Sequence, residues 1–169
     1  MEEQFYVLTM LVANKPGVTS RVTGLFSGRG YNMESICGAP THDPEISRIT
    51  IKTKATPDQY IEIQKQLERL IDVIKLRDMT IEEKAVKREM ALISIEITPD
   101  NRTELIQVVE IFNGKIVNAG KDSYIVEVTG TEDKINAIVD LLRPLGIKKL
   151  TRSGVLALYR ELEASHRDS

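Results

Sequence analysis

Phe26-Ser27-Gly28-Arg29-Gly30-Tyr31-Asn32 decides how this chain is read, because its frame returns. Eighty-six positions later the same spacing recurs as Phe112-Asn113-Gly114-Lys115-Ile116-Val117-Asn118. Each copy ends a helical pattern and opens an extended run, so the chain reads as one unit used twice. Upstream of the first copy, Val18, Val22, Leu25 and Phe26 fall at i, i+4, i+7 and i+8, one stripe of a helix. Before them, residues 6–13 are apolar at nearly every position, as in a central strand covered on both faces. Between strand and helix lies Asn14-Lys15-Pro16-Gly17-Val18, a turn followed by a helix start.

Downstream, residues 31–41 read as a strand stopped by Pro40. Residues 41–44 supply a turn, and residues 47–52 alternate with period two, completing a hairpin. Thr56-Pro57-Asp58 places an N-cap residue before a Pro at the first helical position. The stripe of that helix is Tyr60, Ile63, Leu67 and Leu70 with Ile71, and residues 73–79 form a closing strand. The order is βαββαβ. In the second half, residues 91–97 read as a strand, and Leu105, Val108, Val109 and Phe112 make a helix stripe. Short strands follow around Ile116 and over 124–128. Thr131-Glu132-Asp133 repeats the second helix start at an offset of 75, so this copy's hairpin is eleven residues shorter. Ile135, Ile138, Val139 and Leu142 form the last stripe, and residues 147–150 the last strand.

The fold expected is α+β: two tandem ferredoxin-like βαββαβ domains, each with two helices on one face of an antiparallel sheet. The expected boundaries are 1–79 for the first domain, 80–89 for a charged linker, 90–160 for the second domain and 161–169 for a polar tail.

Composition narrows the function. The chain has 169 residues, 28% charged and 41% hydrophobic, with a net charge of −2. That balance offers no field for nucleic acid or an anionic membrane. The single Cys37 excludes an intrachain disulfide and fits a reducing cytoplasm. No leader pattern and no apolar run near 18 residues is seen, so a soluble cytoplasmic protein is expected.

Catalytic constellations are missing from the sequence. His42 falls in a hairpin turn and His166 in the polar tail, so neither has a partner at metal-ligand spacing. Cys37 sits on a strand without a His to activate it and reads as a small buried hydrophobe. Gly28-Arg29-Gly30 lacks the dinucleotide-binding frame and follows a helix. Arg48 reads as a strand charge, and Lys148, Lys149 and Arg152 are too few for nucleic-acid binding. The Asn14–Val18 loop does carry chemistry. A helix start with open N–H groups and a partial positive charge suits a carboxylate or phosphate. At the offset of 86, Asn14 and Gly17 become Asp100 and Thr103, so the loop belongs to the first unit alone.

Several of these stretches carry a family resemblance. They are residues 14–18, residues 20–32, Asp43-Pro44 with Ser47-Arg48, Gln66-Leu67 with Leu70 and Asp72-Val73, and Arg152-Ser153-Gly154. The first domain resembles an ACT domain, the amino-acid-sensing module. The whole of residues 1–160 resembles the regulatory (small) subunit family of acetolactate synthase, also called acetohydroxyacid synthase. That resemblance implies a cytoplasmic homodimer that binds valine, or another branched-chain amino acid, between two ACT domains. It also implies activation and feedback inhibition of a separate catalytic subunit in valine, leucine and isoleucine synthesis. Thiamine diphosphate, Mg²⁺ and usually FAD would belong to that catalytic subunit, with no catalytic, metal or cofactor residue in this chain. The family's effector contacts map onto Asn14, Gly17, Val18, Asn32 and Ile36. The Asn32 amide would then offer an acceptor to the ligand's ammonium and a donor beside it. Two competing readings stay open: another ACT-type amino-acid sensor, such as one controlling transcription, and a free-standing enzyme using Cys37 or a buried carboxylate.

Overall fold

The computed structural model describes residues 2–160. The expected polar tail, 161–169 with His166, lies outside the described residues. The first unit runs β1 (Gln4–Ala13), α1 (Val18–Ser27), β2 (Asn32–Pro40), β3 (Ile46–Ala55), α2 (Pro57–Glu68) and β4 (Val73–Asp78). Its sheet has the order β2-β3-β1-β4, with antiparallel pairing throughout. The second half of the chain runs β5 (Ala85–Glu96), α3 (Arg102–Ile111), β6 (Lys115–Ala119), β7 (Ser123–Gly130), α4 (Glu132–Leu142) and β8 (Ile147–Arg152), in the corresponding order β6-β7-β5-β8. The βαββαβ order read from the repeat is therefore the order observed in both units.

Each core follows from the stripes. In the first unit Val18, Val22, Leu25 and Phe26 of α1 meet Tyr60, Ile63 and Leu67 of α2 over Leu8, Met10, Ile49 and Ile51 of the sheet. Removing such side chains from water contributes about 1.5–3 kcal/mol each. Tyr60 stacks on Tyr6 with ring centroids 3.8 Å apart. Burial, with the Asp78 carboxylate nearby, holds the Tyr60 hydroxyl well above the ordinary phenol range. Helix α2 starts as the sequence dictates, with Pro57 at its first turn and Thr56 Oγ1 accepting from Gln59 N. The Gln59 side chain returns a bond to the Thr56 N–H, completing a capping box. Ile71, placed by its spacing on the α2 stripe, is instead 97% exposed. The helix stops at Arg69, so the 3.6-residue period no longer governs that position.

The domain boundaries depart from the expected ones. The two compact units are residues 1–87 with the described residues from Val155 on, and residues 88–154. The expected linker, 80–89, instead holds a 3-10 turn at Glu82–Lys84 and the first residues of β5. A further strand, β9 (Leu156–Tyr159), pairs with β5, and Arg160 N donates to Lys84 O at 2.8 Å. The cause is apolar burial: Val7, Met79, Ala85, Val155 and Ala157 form a separate small core. Met79 is fully buried there, which a chain ending at residue 79 would not allow.

Candidate functional site

The loop Asn14–Gly17 is shaped from both sides by backbone hydrogen bonds. Ala13 N donates to Asp72 O at 2.9 Å, and Asn14 N donates to Glu45 O at 2.7 Å. The Asn14 side chain adds a third tie, with Nδ2 donating to Pro44 O at 2.8 Å. Gly17 then takes φ 84°, a left-handed conformation that favours glycine, and becomes the N-cap of α1. It has no side chain to cap the helix, and the first turn of α1 carries no acid. Helices α2 and α4 differ in being capped by Thr56 and Thr131. The start of α1 thus keeps its partial positive charge uncompensated by its own side chains.

A cavity of ≈ 390 Å³ opens beside this loop, within the first unit. Asn14, Lys15 and Thr19 line it from the loop and helix start, with Ser47 from β3. Val12, Val18, Ile36, Gly38, Pro40 and Ile49 supply its apolar lining. Val12, Val18 and Ile49 are buried core residues, so that wall is fixed by packing. Polar and cationic groups beside apolar ones in one small cavity suit a zwitterion with an aliphatic side chain.

Of the residues singled out in the sequence, Asn14, Val18 and Ile36 line the cavity together. Gly17 acts through the turn it makes and is not part of the lining. The Val18 N–H also has a backbone neighbour, Lys15 O at 3.4 Å. Asn32 begins β2, as expected, but lies outside the lining. Its Nδ2 donates to Glu34 Oε1 at 2.7 Å, and its carbonyl accepts from Thr53 Oγ1. Lys15, Thr19, Gly38, Ser47 and Ile49 were not reached from sequence as site residues. Gly38 left one usable signal, a glycine interrupting a strand.

The second unit closes the corresponding loop with its own side chain. Asn101 Oδ1 accepts from Thr98 N at 2.9 Å, while its Nδ2 donates to Glu96 O and Leu145 O at 2.9 and 3.1 Å. The loop difference seen between the two copies thus has a structural counterpart.

Other candidates take ordinary places. Cys37 is half-buried on β2 opposite Thr50, not in the core as expected. His42 is exposed in the hairpin turn. Among the described residues, no group of three or more His, Cys, Asp or Glu is placed to hold a metal ion. No helix among them is long and apolar enough to cross a membrane. Arg152 is no part of a basic cluster: its Nε and Nη2 hold both oxygens of the buried Glu89 at 2.6 and 2.7 Å.

Comparison with known proteins bears on both units. Residues 8–75 match the model of the AHAS small subunit-like ACT domain, and residues 88–161 that of the small subunit of acetolactate synthase. A probable acetolactate synthase small subunit of Archaeoglobus fulgidus is 42% identical over 155 residues, covering 92% of this chain and 96% of the relative. The acetolactate synthase small subunit of Aquifex aeolicus is 41% identical over 166 residues, covering 97% and 85%. A crystal structure of the acetolactate synthase small subunit from Thermotoga maritima superposes with a TM-score of 0.85 at 35% identity. It covers 93% of this chain and 98% of that one.

Proposed function

The chain belongs to the acetolactate synthase small-subunit family, and from that membership we propose that it activates a separate catalytic subunit and makes it sensitive to valine. The observation that carries the effector half of this reading is the cavity beside the uncapped start of α1. A branched-chain amino acid brings a carboxylate, an ammonium and a short aliphatic group. The carboxylate suits the α1 N-terminus and Lys15, while Asn14 Oδ1 is available to accept from the ammonium, since Nδ2 is engaged by Pro44. The side chain then meets Val18, Ile36 and Ile49.

The working form in this reading is a homodimer whose two first domains share the effector, with Asn32 and Gly17 completing the site. Ligand binding and subunit packing would then be one linked equilibrium, the physical basis for relaying occupancy to the catalytic subunit. Thiamine diphosphate, Mg²⁺ and FAD are assigned to that subunit.

Reconstitution tests the proposal. The purified chain should form no acetolactate from pyruvate, should raise the catalytic subunit's rate when mixed with it, and should make that rate fall as valine is added. Acetolactate formation by the chain alone, or a mixture whose rate neither rises nor responds to valine, overturns it.

A further inference from the structure

The sheet of the first unit has a cationic face turned away from its helices. Met10, Ile49, Ile51 and Leu76 pack into the helix-side core, so the alternate residues of their strands point the other way. Register sets those residues in rows. Arg48 of β3 and Lys75 of β4 both lie opposite Leu11 of β1, and Arg77 lies opposite Thr9. Lys52 lies opposite Val7 on β1 and Ser35 on β2. Four cations thus share one face, and none is in register with an acid. The face is only partly wet. Arg48, Lys75 and Arg77 are half-buried, and Lys52 is 8% exposed, its Nζ 4.2 Å from the centre of the Phe5 ring. Cations held that far from water favour an anion, and the attraction is screened less there than at an open surface.

We propose that this face receives the chain's own end, residues 161–169, with Glu161 beside Arg77 and Lys75 and Glu163 beside Arg48 and Lys52. The proposal is independent of the effector reading. The described residues lead to the face. Strand β9 ends at Tyr159, whose ring lies 5.0 Å from the Arg77 guanidinium. Arg160 is then held twice, N donating to Lys84 O at 2.8 Å and Nε to Ala85 O at 3.4 Å. Glu161-Leu162-Glu163 comes next, two negative charges in three positions. An extended residue advances about 3.3 Å, so Glu163, at the fourth position after Tyr159, reaches about 13 Å from it. Passing from β4 over β1 to β3 takes two strand spacings, about 10 Å, so both glutamates can meet cations of this face.

Cys37, the single cysteine, lies opposite Thr50 on the same face and can report how far it is covered. The test compares the full-length chain with its Glu161→Gln/Glu163→Gln variant, timing the reaction of Cys37 with a dianionic aromatic disulfide and with a neutral maleimide. The variant should react with the disulfide about tenfold faster than the parent, and with the maleimide by a smaller factor, because the bared face attracts the anion. Its melting temperature should fall by about 2–4 °C at low salt. That difference should vanish near ~1 M salt, where the Debye length is about 3 Å. With Arg48→Gln and Lys75→Gln already in place, the same glutamate changes should lower the melting temperature less. Parent-like Cys37 rates and melting in Glu161→Gln/Glu163→Gln overturn the proposal. So does a parent whose Cys37 reacts as fast as the variant's until the catalytic subunit is added, which would give the face to that partner.

Discussion

Arg21 and Asp72, fifty-one positions apart, fasten the α1 start to the turn before β4. Both guanidinium contacts go to one carboxylate oxygen, Nε to Oδ2 at 2.8 Å and Nη2 to Oδ2 at 2.5 Å. The same Asp72 accepts from Ala13 N through its carbonyl, so a single residue grips the loop before Gly17 and the helix after it. Arg21 also leans over Gly17, with Nη1 3.1 Å from where a Cβ would stand. Neither Arg21 nor Asp72 lines the cavity, so their influence on an effector is positional.

Asp72→Asn keeps the carbonyl bond and removes the charge. Because the Arg21 side chain is half exposed, the loss of stability should be small, about 0.5–1 kcal/mol. Valine affinity should fall several-fold as the loop loosens, and Asp72→Glu should recover part of it. Calorimetry beside thermal melts checks this; unchanged affinity in Asp72→Asn would show the loop holds its shape without the ion pair.

Two substitutions at Gly17 should separate stability from binding. Alanine must adopt φ 84° and crowd Arg21, at a cost of about 1–2 kcal/mol. Aspartate tolerates that conformation better and can cap α1, so its melting temperature should lie nearer the parent's. Its negative charge would nevertheless occupy the carboxylate's place, and valine sensitivity should be lost more completely in Gly17→Asp. If Gly17→Asp is the more valine-sensitive variant in the reconstituted enzyme, the carboxylate does not sit at this helix start.

Asn32→Ala should leave the fold intact, since the amide is exposed and bonds only to Glu34 among the described side chains. Under the shared-site reading, valine binding should weaken by about 1–3 kcal/mol, or roughly fivefold to more than a hundredfold. A folded Asn32→Ala chain with undiminished valine affinity removes Asn32 from the site.

In the second unit, Glu89→Ala strands the Arg152 guanidinium. Glu89 is 4% exposed and holds Arg152 through two bonds, while Nη1 reaches Asn136 Oδ1 at 2.9 Å. The hydrogen bond to Glu89 raises the Arg152 pKa further above its ordinary value. Arg152 is therefore fully charged at neutral pH, and its own pH-linked contribution is lost as pH rises through that raised pKa. Because the Arg152 side chain is itself 31% exposed, water partly replaces the lost carboxylate, and breaking the pair this way should cost about 1–3 kcal/mol in urea denaturation. Arg152→Lys should not restore the loss, because an ammonium lacks the two-pronged geometry. A change below about 1 kcal/mol in Glu89→Ala contradicts this account.

A fragment of residues 1–79, which the sequence pattern presents as a complete unit, should be markedly less stable than the same residues in the full chain. It would lack Ala85, Val155 and Ala157, which enclose Val7 and Met79. Exposing Met79 alone should cost about 1.5–3 kcal/mol. Denaturant midpoints and dye binding by exposed apolar surface report it; a fragment as stable as the full chain shows the small core to be dispensable.

The sequence by itself determined the repeat, the order of elements in both units, the stripes that became the two cores, and the capped start of α2. These are local matters. Helix periodicity, strand alternation and an N-cap act over three to eight residues, so each is written where it operates. Asn14 and Val18 were legible as lining candidates for the same reason, in a turn and a helix start, whereas Ile36 was reached only through the family resemblance.

Only the tertiary structure decided the return of β9 to the first unit, the Arg21–Asp72 grip and the meeting of Gly38 with Ile49 at the cavity wall. The first two join residues more than fifty positions apart, and the third depends on the register of the β2–β3 hairpin. Which distant strand or side chain a residue meets is fixed by the summed burial and hydrogen bonding of the whole unit, and no short window of sequence contains that sum.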